Sequence, residues 1–287
     1  MESHPTQQLQ LGICSWSLIP DDPADLVGKV LQTGIGAVQL ALDPLREGNW
    51  NAQKTFKILR DNNITVVSGM MAMHGEDYSS LQSIRKTGGV RPDQYWEDNL
   101  RSAYENALLA HRFKIPLVTF HAGFIPENAD DPQRRVMINR LRTIIDLFEN
   151  HHIKVAFETG QETASTLLDV LNELNRPGVG VNFDPANMIL YGKGNPTEAL
   201  PLLASRVQQF HIKDALPSDL PGEWGREVPT GEGAVDWNEF ARIISHHKIT
   251  CPLIIEREAG HDRIRDIRAA IQLLERTVLP IVKSNLS

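Results

Sequence analysis

The chain has 287 residues, 41% of them hydrophobic, which is enough for a large core and too long for a small module stapled by disulfides. Twenty-nine basic residues against 36 acidic ones leave a net charge of −7, so nothing in the composition grips a phosphate backbone and no nucleic acid partner is expected. The two cysteines, Cys14 and Cys251, lie far apart beside apolar runs, the segment Met1–Gln10 is polar, and no run reaches the ~18 apolar residues of a membrane span; we expect buried, reduced thiols in a cytoplasmic protein with no membrane attachment.

Short apolar runs alternate with segments of helical period along the whole chain. The first strand is expected at Leu9–Ser15, followed by a helix at Pro23–Thr33. Ala37–Ala41 and Asn51–Asn62 form the second strand and helix, and Thr65–Met70 and Pro92–Phe113 the third. Leu117–His121 is followed by Pro132–Asn150, Lys154–Glu158 by Thr163–Asn175, and Gly180–Asp184 by Pro196–Ala204. Val207–His211 with Trp237–His246 and Pro252–Glu256 with Asp262–Val282 complete the series. Such alternation is the pattern of a parallel sheet covered by helices. Eight units of about 36 residues fit one α/β domain, a closed (β/α)8 TIM barrel, better than two domains. No linker or low-complexity stretch interrupts it, so residues 1–287 are read as a single domain with a flexible tail at 1–8. Two longer irregular stretches, Gly75–Arg91 and Ala215–Val235, follow strand ends and should overhang the C-terminal face of the barrel, where active sites of this architecture lie.

Four consecutive strands end in residues that carry chemistry: Glu158, Asp184, His211 and Glu256. Any one of these acids alone could simply cap the next helix. Three carboxylates at one rim, however, repel one another and resist ionisation unless a cation sits between them. Three oxygen donors and an imidazole favour Mn²⁺ or Mg²⁺, with Co²⁺ and Zn²⁺ also able to bind, so one divalent metal ion is the expected cofactor. Further candidates for substrate contact are Trp16 after the first strand, His74 after the third, His121 at the end of the fourth, Asn187 after the sixth, and Lys213 two residues beyond His211. Arg226 in the long seventh loop completes the set.

The order Glu158, Asp184, His211, Glu256, within Phe-Glu-Thr-Gly, Asp-Pro-Ala-Asn and His-Ile-Lys-Asp contexts, resembles the xylose-isomerase-like TIM-barrel superfamily, and most of all its sugar phosphate isomerase/epimerase branch. The resemblance runs from Gly12-Ile13-Cys14-Ser15-Trp16 to the last helix and takes in His121-Ala122-Gly123 and the segment Gly231-Glu232-Gly233-Ala234-Val235-Asp236-Trp237. It implies a metal site at those four positions. It also implies, as in ketose 3-epimerases, that Glu158 and Glu256 move a proton from one face of a sugar carbon to the other through a metal-stabilised enediolate. Inosose isomerases are further relatives in this sense, and homo-oligomers are common among them. Two departures stand out. Asn187 replaces a histidine, so an imidazolium is missing there, and Pro217 replaces an arginine, for which Arg226 is the candidate substitute.

The expected function is therefore isomerisation or epimerisation of a small carbohydrate. Two alternatives use the same scaffold: a metal-dependent dehydratase or lyase acting on a keto-sugar, inosose or keto-glycoside, and, more remotely, a DNA-repair enzyme of the endonuclease IV type, which needs more histidines and a more basic surface. The Gly231-Glu232-Gly233 segment is a poor phosphate cradle because its acid would repel the ligand, which favours an unphosphorylated substrate.

Overall fold

The computed structural model describes residues 9–220 and 222–284; the tail expected at residues 1–8 lies outside the described residues. Eight parallel strands close into a barrel: β1 (Leu11–Cys14), β2 (Ala37–Ala41), β3 (Thr65–Met70), β4 (Leu117–Phe120), β5 (Lys154–Glu158), β6 (Val179–Phe183), β7 (Val207–Ile212) and, after the hairpin strands β8 (Asp214–Leu216) and β9 (Arg226–Val228), β10 (Leu253–Ile255). The barrel is sealed where β1 pairs with β10, Leu11 against Leu253 and Ile13 against Ile255. This is a single (β/α)8 TIM barrel.

Helices start where the sequence supplies caps. Asp22, Asn51, Asp131, Thr163, Asn195 and Asp236 each accept a hydrogen bond from a first-turn amide, and proline occupies the first turn at Pro23, Pro132 and Pro196. The helix predicted from Pro92 opens as a 3-10 turn at Asp93–Tyr95 and becomes α-helical at Trp96–Phe113. The last helix runs from Arg263 to Ser284 through a π turn at Leu274–Val278. Both long loops carry structure that sequence period alone does not show. The third-strand loop contains a helix at Leu81–Thr87 capped by Ser80, and the seventh-strand loop folds into the β8–β9 hairpin. A further short helix, Pro185–Leu190, begins directly at Asp184.

The main core lies between the outer face of the barrel and the helices, with Phe157, Phe183, Phe210 and Phe240 fully buried there. The barrel interior is different. A small apolar cluster of Cys14, Ala37, Val67 and Ile254 is separate from that core; Cys14 meets the buried Gln39, which donates to Thr119, and Ser68, Gln209 and Asn182 form a second buried polar chain in the interior. Register shifts at Val38/Gln39 and at Val181/Asn182 place Gln39 beside Ser68 and Asn182 beside Gln209. An extra residue of this kind re-aims side chains locally, and here it sets polar groups side by side in the interior.

Among the described residues no helix is long and apolar enough to cross a membrane. Cys14 is a buried free thiol and Cys251 a half-buried one.

Candidate metal centre and substrate cavity

Strand alternation delivers the cluster. Glu158 ends β5, Asp184 follows β6, His211 lies in β7 and Glu256 follows β10, and one ligand atom from each falls within 4.8 Å of all the others. Asp184 also caps the helix Pro185–Leu190, accepting from the Asn187 amide at 2.9 Å, so the cap and cluster roles coexist in one carboxylate. Its second oxygen, Oδ2, is buried with no hydrogen-bond partner, and so is Nδ1 of His211.

That His211 nitrogen faces Glu158 Oε1 at 3.2 Å, Glu256 Oε2 at 3.4 Å and Asp184 Oδ2 at 3.8 Å. The other ring nitrogen, Nε2, lies 2.6 Å from Gln39 Oε1, an acceptor, and therefore carries the proton. Nδ1 is thus the nitrogen left to meet a cation among three carboxylates, either a proton on the metal-free ring or a divalent ion in its place. The orphaned atoms and the hard-oxygen-plus-imidazole donor set fit a divalent metal ion. Burial opposes charge throughout the cluster, but the partners decide the outcome at Glu158, His211 and Glu256. The rings of His211 and His121 hold Glu158 below the usual carboxylate range, and Lys213 and His211 hold Glu256 well below it. Burial prevails at Asp184, which is pushed up to about 6. Against its burial, His211 is raised well above the ordinary imidazole value by Glu158 and Glu256.

Glu158 and Glu256 of the cluster line a cavity of about 480 Å³. Four of the expected contact residues line it. Trp16 donates from Nε1 to Glu256 Oε1 at 2.8 Å, and Lys213 donates to Glu256 Oε2 at 2.9 Å and to Glu258 Oε2 at 2.5 Å. Asn187 donates to Glu158 Oε1 at 2.8 Å, where His121 Nε2 also approaches at 3.7 Å. The close seat of Asn187 depends on Gly160, at φ +134°, where a Cβ would come within 2.6 Å of the Asn187 Cβ.

Two expected residues are not brought there. His74 turns to the helix Trp96–Phe113, its Nε2 lying 2.8 Å from Ser102 Oγ, and does not line the cavity. Arg226 is exposed on β9; the hairpin's alternation sends its neighbour Glu227 into the cavity instead, with Trp224 from the same loop. Residues that sequence reasoning missed are acidic or structural. Asp43, Glu76, Glu227 and Glu258 line the walls, and no arginine does among the described residues. The Gly231–Trp237 segment is an anchor and not a cradle. Asp214 accepts from the amides of Ala215, Gly231 and Val235 and from Trp237 Nε1, and a Cβ at Gly233 would lie 2.0 Å from the Asp214 carboxylate.

Fold and site together define an α/β barrel with a buried carboxylate–imidazole cluster at the C-terminal face. Residues 27–277 match the family described as xylose isomerase-like TIM barrel, and the chain belongs to that family. A xylose isomerase domain protein from Planctomyces limnophilus superposes with a TM-score of 0.86 at 28% identity, over 97% of this chain and 99% of that one. The chain is 26% identical over 207 residues to a 3-dehydroshikimate dehydratase of Bacillus anthracis, covering 66% of this chain and 72% of the relative. It is 27% identical over 157 residues to a probable L-ribulose-5-phosphate 3-epimerase of Mycoplasma pneumoniae, covering 52% of this chain and only about half, 47%, of that protein.

Proposed function

We propose that this protein is a divalent-metal-dependent isomerase or epimerase of a small uncharged ketose, with Glu158 and Glu256 as the proton-transferring groups. The observation that carries the reading is the pair of unpartnered atoms, His211 Nδ1 and Asp184 Oδ2, facing Glu158 and Glu256 under an open cavity. Glu158, Asp184, His211 and Glu256 would hold Mn²⁺ or Mg²⁺, which when bound would polarise a carbonyl and the neighbouring hydroxyl and so acidify the hydrogen on the carbon that bears that hydroxyl. Each glutamate keeps its orientation through its own donors, Asn187 for Glu158 and Trp16 with Lys213 for Glu256. Two fixed carboxylates bordering one cavity can take a proton from a substrate carbon and return it, the exchange that epimerisation needs.

Charge selects the substrate class. Lys213 is the cavity's only Lys or Arg lining residue among those described, and it is already engaged by Glu256, Glu258 and Asn187. The wall carboxylates Asp43, Glu227 and Glu258 are themselves paired with Arg46, Arg257 and Lys213, so among the described lining residues no cation is left free to receive a phosphate or carboxylate on the substrate. A second reading has its own support. Lys213 holds an ammonium beside Glu256 at the cavity, where it can protonate a departing hydroxyl, and the similarity to a dehydratase covers two thirds of the chain; loss of water from a keto-sugar is the corresponding reaction.

Both are tested by incubating Mn²⁺-loaded protein with free ketopentoses, ketohexoses and their phosphate esters in D₂O and following proton NMR. Epimerisation places deuterium at the carbon beside the carbonyl and yields a second sugar, whereas dehydration yields an unsaturated product lighter by one water. Glu158→Gln and Glu256→Gln are expected to lower turnover by about 10²–10⁴-fold. Full turnover in either variant would remove the proton-transfer role, and preference for the phosphate esters would overturn the uncharged substrate.

A further inference from the structure

The barrel's polar interior has a task that the cavity itself does not explain. We infer that Gln39 is a positioning residue which, by accepting the Nε2 proton of His211 across the barrel, dictates that Nδ1 is the nitrogen offered to the metal. This rests on the reading of the four-residue cluster as a divalent-metal site.

Gln39 stands on β2 and His211 on β7, three strands apart around the closed barrel, so their 2.6 Å contact spans the interior. Both side chains are fully buried. The orientation of the Gln39 amide is set by its other end. Nε2 donates to Thr119 Oγ1 at 2.8 Å and faces the Gly69 carbonyl at 3.5 Å, while the Thr119 hydroxyl is itself directed to Met70 Sδ. A flipped amide would point its oxygen at a carbonyl, so Oε1 is the atom that meets His211. No neighbour can take over the acceptor role. Asn182 Nδ2 lies 3.0 Å from the same ring nitrogen but is a donor turned toward Glu158 Oε2, and its oxygen is occupied by Gln209 Nε2. The Cys14 sulfur, 3.6 Å away, is a weak acceptor. The register shift at Val38/Gln39 places Gln39 opposite Ser68 in the interior, where an unbroken ladder would pair it with Val67.

Without the acceptor, the ring is free to carry its proton on Nδ1 or to rotate, and either change withdraws the ligand lone pair. Partners that hold the far side of a metal-bound histidine are worth about 10–100-fold in metal affinity. The test uses full-length protein stripped of metal, titrated calorimetrically with Mn²⁺, and histidine nitrogen NMR on the metal-free and Mg²⁺-loaded forms. Gln39→Met keeps the length and removes the acceptor; we expect Mn²⁺ affinity to fall about 10–100-fold and the slowly exchanging Nε2 proton of His211 to disappear. Gln39→Glu restores an acceptor and is expected to recover affinity to within about threefold and to retain that proton, a rescue that a mere space-filling role would not produce. Should Gln39→Met fail to fold, Thr119→Val unlocks the amide without touching His211, and a fall in affinity with loss of a single tautomer signal is expected. Unchanged Mn²⁺ affinity and an unchanged Nε2 proton in Gln39→Met, or in Thr119→Val, would overturn the inference. A wild-type protein that shows the Nε2 proton but binds no Mn²⁺ would instead refute the metal reading, and with it the consequence for the ligand.

Discussion

Glu162 stands four residues past the cluster and shows what burial does to a carboxyl without a close counter-charge. Its side chain is almost fully buried, and that burial, only partly offset by Lys193, pushes its carboxyl up to about 8 from an ordinary 4.5. The sign follows directly. In the folded state the group stays protonated through neutral pH, whereas the unfolded chain releases the proton above 4.5, so folding stability is fully present below that value and is lost as pH rises toward about 8. Glu162→Gln keeps the shape and cannot ionise. We expect urea unfolding at pH 5 to differ little between the two proteins, and at pH 8.5 the variant to be more stable by about 1 kcal/mol or more. A parallel pH dependence in both would show that Glu162 ionises freely in the folded state. At the same scale, the cluster residues are legible because each marks the point where an apolar strand gives way to polar residues. Gln39 and Asn182 are not legible in this way, since which side of a strand a buried amide faces depends on register shifts that leave no trace in period. His74 and His121 both follow strand ends, and only packing separates them: Ser102 on the neighbouring helix claims one ring, and the cavity receives the other.

Asp214 governs an element. Its two oxygens collect four donors, from the amides of Ala215, Gly231 and Val235 and from the Trp237 indole, and so tie the start of the β8–β9 hairpin to the approach of the helix Trp237–His246. The Arg257–Glu227 ion pair at 2.6 Å fastens the other hairpin strand beneath the cavity. Removing a carboxylate from four donors, three of them on buried residues, leaves those three unsatisfied, so Asp214→Ala should cost about 2–4 kcal/mol in denaturant unfolding. It should also raise KM more than it lowers kcat, because Trp224 and Glu227 ride on the hairpin. A loss below about 0.5 kcal/mol would mean the loop is held elsewhere. The eight strands and their following helices are legible because the switch between apolar runs and helical period is strong over ten residues or more. The hairpin is not, because three-residue strands are too short to show alternation, and that is why Arg226 stood out in sequence while its neighbour Glu227 is the residue turned inward.

Across the whole molecule, the cluster concentrates opposed charge in the place where the fold can least solvate it. Glu158, Asp184 and Glu256 are at most 4% exposed, and they converge on His211 from three separate strand ends, so their mutual repulsion acts to part the strands that form the mouth of the barrel. A divalent ion bound there reverses that term and, because an unfolded chain offers no such site, its binding energy becomes folding energy. At a metal concentration about a thousandfold above Kd the gain is roughly 4 kcal/mol, which for a domain of this size raises Tm by on the order of 10 °C. We therefore expect EDTA-treated protein to melt about that much below protein in excess Mn²⁺, with Mg²⁺ giving a smaller rise at equal concentration, in keeping with its place below Mn²⁺ for a site that includes imidazole. Asp184→Asn, which keeps the shape and the cap but removes one charged ligand, should melt near the metal-stripped wild type and respond little to added metal. Equal melting of stripped and Mn²⁺-loaded wild type would show instead that the barrel holds its three carboxylates by protonation and by the His211 and Lys213 charges alone, and the four residues would then be a buried ion network rather than a metal centre.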